Sequence, residues 1–147
     1  MPNIEIVEAA VKAANASPCS KSKRGAVIFF KDYPDIVATG YNHLPQGLCT
    51  GDDRCKKACS KTCLHAEQRA ILNLFKSGYG AFNRFDMLHI KTVDGLPVEG
   101  GPPSCLECSK LILYSGLAGM WLLETGKGWV RYTTDEFHRV TLHNVQG

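Results

Sequence analysis

The sequence predicts an α/β sandwich, in which a central sheet is covered by helices on its faces. Amphipathic segments alternate with short apolar runs in the order αββαβαβα, the pattern of a layered α/β domain. The 147 residues are 44% hydrophobic and 21% charged, without repeats or low-complexity tracts. This composition is typical of a globular chain that can bury a core, so we expect one domain over residues 1–147.

The first half of the chain predicts a helix, a hairpin and a long loop. Residues 4–16 carry apolar side chains at helical spacing and are followed by Ser17-Pro18, which ends a helix. Apolar runs at 25–30 and 36–40 flank a turn at 31–34 and predict paired strands. Residues 43–63 are polar and contain four cysteines, and so long a loop is expected only where something else orders it.

The second half alternates helices and strands. The predicted helices are 64–75, 105–115 and 134–143, the last capped by Thr133 or Thr134. The predicted strands are 87–93 and 117–123, and the Gly- and Pro-rich residues 94–104 are predicted to be a loop. Residues 127–133 are compatible with either a fifth strand or a loop over a site.

Charge and hydropathy exclude several classes of protein. The net charge of +3 is too small to indicate nucleic-acid binding by itself. No apolar run approaches the roughly 18 residues of a membrane span, and residues 1–16 do not resemble a signal peptide. We therefore expect a cytoplasmic protein without a membrane partner. In that reducing compartment, seven cysteines indicate metal binding or catalysis before disulfides.

Two short motifs carry the chemistry, and each is predicted to begin a helix. His65 and Glu67 stand in His-Ala-Glu, while Cys105 and Cys108 follow Pro103-Ser104 as Cys-x-x-Cys. Two thiolates and one imidazole can hold zinc and leave its fourth position to water, as a catalytic site requires. Glu67 can then move protons between water and substrate. Cys-x-x-Cys alone is also compatible with a redox pair or a structural zinc site, but the combination is the zinc deaminase signature.

The sequence resembles the cytidine/deoxycytidylate deaminase superfamily, and its dCMP deaminase branch most of all. The matching residues lie between about 4 and 123, and the four stretches that carry the resemblance are 24–28, 39–42, 65–71 and 107–117. The resemblance implies a three-layer αβα sandwich around a mixed five-stranded sheet, which supplies the fifth strand. It also implies a homo-oligomer, since members of the family form dimers, tetramers or hexamers.

The resemblance also implies roles for individual residues. His65, Cys105 and Cys108 match the ligands of the catalytic zinc, and Glu67 matches the proton shuttle. Asn42 matches the residue that meets the sugar. The backbone at Ala66 and at Ser104 matches the segments that meet the pyrimidine.

Two positions depart from the family pattern. The usual Pro-Cys is Pro103-Ser104-Cys105 here, one residue longer, and Arg69 replaces the usual Asn. Both changes leave the metal chemistry intact and affect the choice of substrate.

A second, structural zinc site is expected in the long loop. Some dCMP deaminases hold such an ion at positions that match Cys19, Cys49 and Cys63, and the fourth ligand here is Cys55 or Cys59. Four thiolates close the coordination shell of a structural zinc, and binding it can order an otherwise irregular segment. Free thiols or disulfides are the alternative.

Basic and aromatic residues suggest where a nucleotide binds. Basic side chains cluster before the first strand and in the long loop, at Lys21, Lys23, Arg24, Arg54, Lys56, Lys57 and Lys61. These clusters fit either a phosphate site or an ordinary solvated face. Trp129, Arg131 and Tyr132 either cover the nucleotide or, for Trp129, pack the last helix against the sheet.

These observations predict a zinc-dependent hydrolase that converts a free cytosine nucleotide, dCMP first of all, to dUMP and ammonia. The alternatives are the same chemistry on a nucleoside, a free base, or a base in single-stranded DNA or tRNA. A zinc-scaffolded binding module without activity is disfavoured, because a purely structural site needs no carboxylate such as Glu67 beside the metal.

Overall fold

The computed structural model describes residues 2–19, 22–33, 35–44, 63–101, 103 and 105–146. Its helices are α1 (Ile4–Asn15), α2 (Ala66–Lys76), α3 (Leu106–Ser115) and α4 (Thr134–Gln146). Its strands are β1 (Lys23–Phe30), β2 (Ile36–Tyr41), β3 (Phe85–Val93), β4 (Leu96–Val98), β5 (Gly119–Glu124) and β6 (Gly128–Thr133). Within the described residues, no helix is long and apolar enough to cross a bilayer.

The strands form one mixed sheet in the order β2-β1-β3-β5-β6. β1 is antiparallel to both β2 and β3, β3 is parallel to β5, and β5 is antiparallel to β6. The strands β2, β3 and β5 therefore run in the same direction, and their carboxyl ends share one edge. α2 follows β2. The chain passes from β3 through β4 to Gly100, which bridges to Glu124 at the carboxyl end of β5, and α3 begins soon after. Both helices therefore begin at that edge, where ligands bind in open α/β sheets.

Side chains alternate between the two faces of the sheet, as a strand period of two requires. On one face, α1 packs against alternate residues of β1 and β3, namely Val27, Phe29, Leu88 and Ile90. The opposite face is covered by α2, α3 and α4, whose Ala70, Ile112 and Phe137 lie in a cluster with Ala26 and Met87. The predicted αβα sandwich is thus confirmed, with one helix on one side and three on the other.

Two glycines allow helices to approach the sheet closely, one on each face. A Cβ on Gly25 would collide with the backbone of α1 at Ala10 and Ala14. A Cβ on Gly40 would lie 2.5 Å from the amide nitrogen of Ala70 and 2.6 Å from the carbonyl oxygen of Ala66. Gly40 therefore sets the distance between β2 and the first turns of α2.

The structure adds a sixth strand to the predicted five. β4 pairs antiparallel with β3 and lies in the segment that was predicted to be a loop. The turn between them is Asp94-Gly95, with φ of 52° and 79°, the left-handed pair of a two-residue type I′ hairpin. Residues 127–133 are a strand, β6, rather than a loop.

Helix ends differ from the prediction by one to three residues. α2 starts at Ala66 rather than at residue 64, and α4 extends to Gln146 rather than to 143. Thr133 caps α4, because its hydroxyl accepts a hydrogen bond from the amide of Glu136 at 3.1 Å. The Glu136 carboxylate accepts one from the Thr133 amide at 3.0 Å, which completes a capping box.

Replacing Gly40 by Ala tests the close approach of α2. We expect Gly40→Ala to lower the free energy of unfolding by ~1–3 kcal/mol, because the new methyl group meets backbone atoms that cannot move aside. Urea denaturation measures the change. The matched control is Gly80→Ala, since a Cβ on Gly80 meets nothing within 4 Å. Equal stability of the two variants would contradict this packing.

Candidate active site

His65 stands immediately before α2, in extended conformation with φ −73° and ψ 156°. Its backbone amide donates to the Gln68 side chain at 2.9 Å, which fixes the entry into the helix. The preceding Leu64 exchanges two backbone hydrogen bonds with His43, at 2.9 and 3.1 Å. The imidazole of His65 is therefore held at the sheet edge where α2 begins.

Cys105 caps α3, and Cys108 lies in its first turn. The Nδ1 atom of His65 lies 3.1 Å from the Sγ of Cys108 and 3.4 Å from the Sγ of Cys105. The three donor atoms all lie within 4.8 Å of one another. In the part of the chain that the structure describes, this is the one group of His, Cys, Asp and Glu side chains so arranged that it could hold a metal ion.

The two thiols share one proton. The Cys108 thiol donates a hydrogen bond to Cys105, which lowers the pKa of the Cys105 thiol to about 4. The same hydrogen bond, together with burial, raises the pKa of Cys108 far above its usual value. The hydrogen bond to Cys105 also raises the pKa of His65 above 6.5. These donors fit zinc, which binds thiolates and neutral imidazole in place of such protons.

Glu67 is the second residue of α2 and is buried beside this group. Burial works to raise the pKa of its carboxyl, but the neighbouring His89, the backbone N–H and His65 outweigh burial. The pKa of Glu67 is therefore below 4.5, and its carboxylate is ionised at neutral pH. Its Oε1 lies 3.4 Å from the Nε2 of His89 on β3. A buried, ionised carboxylate next to a metal site can accept a proton from water.

A cleft of about 380 Å³ opens above these groups. Its base contains Glu67, His89 and the two cysteines of α3. One wall is the segment 98–101 that leads out of β4, and Phe137 of α4 contributes to another. The cleft also reaches two basic residues, Arg24 and Lys91, which are register partners on the adjacent strands β1 and β3.

Two hydrogen bonds from α4 hold the first turn of α3. The Asn144 side chain donates to the carbonyl oxygen of Pro103 at 3.1 Å. The hydroxyl of Ser109 lies 3.0 Å from the Nδ1 of His138. The last helix thus braces the segment that presents Cys105 and Cys108.

Several predicted substrate residues have other contacts in the structure. Asn42 is buried, its carbonyl oxygen accepts from the Arg24 amide at 2.8 Å, and its amide donates to Ser22 at 2.8 Å. Lys23 donates to the carbonyl oxygen of Ser17. Neither side chain lines the cleft. Ala66 is fully buried at the start of α2.

The aromatic stretch after β5 also lies away from the cleft. The Tyr132 hydroxyl donates to Glu124 at 2.6 Å, and burial raises the pKa of Tyr132 to about 12. Trp129 packs with the cluster under α1, not between the last helix and the sheet. Arg131 forms two hydrogen bonds with Asp86, at 2.9 and 3.0 Å. None of these three residues lines the cleft, and a contact with the nucleotide stays a prediction.

Arg69, which stands where the family usually has Asn, lies in the first turn of α2. Its guanidinium group stacks over the ring of Tyr41 at 4.6 Å and contacts the Nε2 of His43. It therefore links α2 to the end of β2.

The candidate second metal site lies partly outside the described residues. Cys19 is buried and Cys63 is half-buried. Cys49, Cys55 and Cys59 fall in residues 45–62, outside the described ranges, as does Ser104. The basic residues Lys21, Arg54, Lys56, Lys57 and Lys61 lie outside them as well.

Sequence reasoning missed His89 and Lys91. Both lie on β3 and alternate with buried apolar residues, so they share the face that Met87 turns toward α2. A histidine within a strand that is otherwise buried was the available signal, because buried polar groups need a partner. The sequence alone could not assign a role to His89, because only the fold shows that Glu67 lies beside it.

Comparisons with known proteins agree with this geometry. Residues 2–123 match the family described as the cytidine and deoxycytidylate deaminase zinc-binding region. The sequence has no significant match among curated proteins.

Three solved structures are similar to the chain. The dCMP deaminase of cyanophage S-TIM5 in its apo form is 26% identical, with a TM-score of 0.54 over 80% of this chain and 82% of that one. The same enzyme in complex with dCMP and dUMP has a TM-score of 0.57 over 82% of each chain, again at 26% identity. The cytidine deaminase of Burkholderia pseudomallei has a TM-score of 0.63 over 93% and 96%, and at 19% identity it supports the fold alone.

The family match spans most of the chain and includes His65, Glu67, Cys105 and Cys108. The donor atoms of His65, Cys105 and Cys108 lie within 4.8 Å of one another, and Glu67 lines the same cleft as the two cysteines. The chain therefore belongs to the family of zinc-binding cytidine and deoxycytidylate deaminases.

Proposed function

We propose that this deaminase hydrolyses a free cytosine nucleotide, dCMP first of all, to dUMP and ammonia. The observation that carries the proposal is the arrangement of the cleft. Its lining includes two of the three candidate metal ligands, Cys105 and Cys108, together with the carboxylate of Glu67 and the cationic side chains of Arg24 and Lys91. The first group suits a base to be deaminated, and the two cations suit a phosphate to be bound.

We assign the catalytic zinc to His65, Cys105 and Cys108. Three protein ligands leave one coordination position for water, as catalytic zinc sites do. Zinc bound there supplies the Lewis acidity that lowers the pKa of a water molecule towards about 7. The amino end of α3 adds a positive field that favours the thiolate form of both cysteines.

Glu67 is the proposed proton shuttle. Its ionised carboxylate accepts a proton from the attacking water and returns it to N3 of the pyrimidine. The water oxygen bonds to C4 as N3 is protonated. Glu67 then takes the second proton of that water, from the hydroxyl now on C4, and gives it to the amino group. The C4–N bond breaks, ammonia leaves, and the oxygen on C4 becomes the carbonyl of the uracil ring. Because Glu67 is buried, bulk water is excluded from these proton transfers. The carboxylate of Glu67, rather than bulk water, therefore accepts the proton.

The phosphate contact is assigned to Arg24, supported by Lys91. The Arg24 guanidinium is exposed and can form two parallel hydrogen bonds with phosphate oxygens. The cleft volume of about 380 Å³ lies within the range of small-molecule sites, roughly 300–1,000 Å³. The Asn42 carboxamide supports this contact indirectly, because it holds the Arg24 backbone. A two-residue cationic patch suits one phosphate better than a polynucleotide, which needs a longer basic track.

Four further assignments complete the proposal. A second, structural zinc is held by four of Cys19, Cys49, Cys55, Cys59 and Cys63. Residues 1–147 form a single deaminase domain, the chain forms a homo-oligomer, and it acts in the cytoplasm. The cyanophage enzyme that binds dCMP and dUMP supports a nucleotide as substrate.

The substrate assignment is tested with a deamination panel on zinc-loaded protein. The panel contains cytosine, cytidine, deoxycytidine, CMP, dCMP, dCTP, guanine and a single-stranded oligonucleotide with cytosine, and product mass and ammonia are measured. We expect turnover of dCMP above all others. Glu67→Gln keeps the shape of the side chain but cannot accept the proton, so kcat falls by ~10²–10⁴-fold.

The same assay on Arg24→Ala separates phosphate binding from chemistry. We expect KM for dCMP to rise ~10-fold or more, while turnover of deoxycytidine stays unchanged, because only the nucleotide carries the phosphate. Arg139→Ala is the matched control, since Arg139 is exposed and pairs with Asp135 on α4. Turnover of unphosphorylated compounds or of the oligonucleotide alone would contradict the nucleotide assignment.

The metal assignment predicts how zinc affinity depends on pH. Zinc requires both thiolates and a neutral imidazole, whereas Cys108 keeps its proton and the pKa of His65 is raised in the metal-free protein. Binding therefore releases ~1 proton above the pKa of His65 and ~2 below it, so affinity falls as the pH falls. Competition with a chromophoric chelator measures the zinc affinity at each pH. The difference in affinity between the unchanged protein and Cys105→Ser reports on this site alone. If that difference did not change with pH, the assignment would be contradicted.

A further inference from the structure

His89 carries an unpaired polar atom inside the cleft. Its Nε2 is buried, and it is the one buried side-chain nitrogen or oxygen among the described residues that has no hydrogen-bond partner. A buried polar atom without a partner is destabilising and calls for a functional explanation. Oε1 of Glu67 lies 3.4 Å from this atom, slightly beyond a normal N–H···O hydrogen bond.

The sheet fixes the position of His89. β3 lies in the middle of the sheet, with β1 on one side and β5 on the other, and His89 is the register partner of Ala26. Because Leu88 and Ile90 face α1, His89 faces α2 and the cleft. The imidazole therefore stays beside Glu67 without depending on any loop.

Burial favours the neutral form of His89. Burial lowers its pKa most, and Arg24 and His65 lower it further, while Glu67 and Cys105 act in the opposite direction. A neutral imidazole carries its single proton on either Nδ1 or Nε2. Only the form with the proton on Nε2 can donate to the Glu67 carboxylate.

Glu67 has one basic side chain within ion-pair distance among the described residues. That side chain is His89, whose Nε2 lies 3.4 Å from Oε1 of the carboxylate. Both residues line the same cleft.

From this arrangement we infer that His89 is a positioning residue for Glu67. Its Nε2–H donates to one carboxylate oxygen and leaves the other oxygen free to exchange protons with water and substrate. A small rotation closes the 3.4 Å separation to the ~2.8 Å of a charge-assisted hydrogen bond. The inference rests on the proposed role of Glu67 as proton shuttle.

The kinetic test compares two variants at one position. His89→Leu fills the space but removes the donor, whereas His89→Gln retains an N–H donor at similar reach. We expect His89→Leu to lower kcat for dCMP ~10-fold or more with little change in KM, and His89→Gln to restore most of the loss. His143→Leu, at an exposed position on α4, is the matched control for the substitution. Zinc content and melting temperature verify that each variant is loaded and folded.

Nitrogen-15 NMR of the histidine side chains tests the hydrogen bond without any substrate. In the zinc-loaded protein, we expect the ring of His89, assigned by its loss in His89→Gln, to carry its proton on Nε2. A ring protonated on Nδ1 would overturn the inference even if dCMP is turned over. An unchanged kcat in His89→Leu, or a rise in KM alone, would also overturn it and indicate a direct contact with substrate. Correct protonation without any cytosine deamination would instead contradict the proposed function.

Discussion

The structure depends on one constraint: side chains from the amino ends of two helices must converge at the same edge of the sheet. β2, β3 and β5 run in the same direction. α2 follows β2, and α3 begins soon after Gly100, which bridges to the end of β5. Gly40 allows α2 to approach its strand, and hydrogen bonds from α4 brace the first turn of α3. The donor atoms of His65, Cys105 and Cys108 meet within 4.8 Å as a result, although 43 positions separate His65 from Cys108.

The electrostatics of the cleft follow from burial and short distances. The base holds Cys105, Cys108 and the carboxylate of Glu67, and of these Cys108 and Glu67 are buried. Fixed charges act more strongly in a buried region than in bulk solvent. The exposed Arg24 adds a positive charge to the lining of the same cleft, and burial, together with that charge, lowers the pKa of His89.

The sequence predicted the site best where a short local motif indicated a single kind of chemistry, the binding of a catalytic metal. The spacings around His65 and Cys105 identified the candidate site because each motif begins a helix, and the structure brings both together. The hairpin of β3 and β4 was missed because β4 has only three residues, too few to show the alternation of apolar and polar side chains that indicates a strand. The one local signal was the turn sequence Asp94-Gly95. His89 and Lys91 acquire meaning only from the strand register and the facing helix, which no local pattern reveals.

The most direct test of this account is a crystal structure of the zinc-loaded protein, with anomalous diffraction recorded at the zinc absorption edge. The account predicts an anomalous peak bonded to His65 Nδ1, Cys105 Sγ and Cys108 Sγ, with a water as fourth ligand beside Glu67. A fully occupied site with four protein ligands would indicate a structural ion. That result, or zinc absent from these three residues in active protein, would contradict the account.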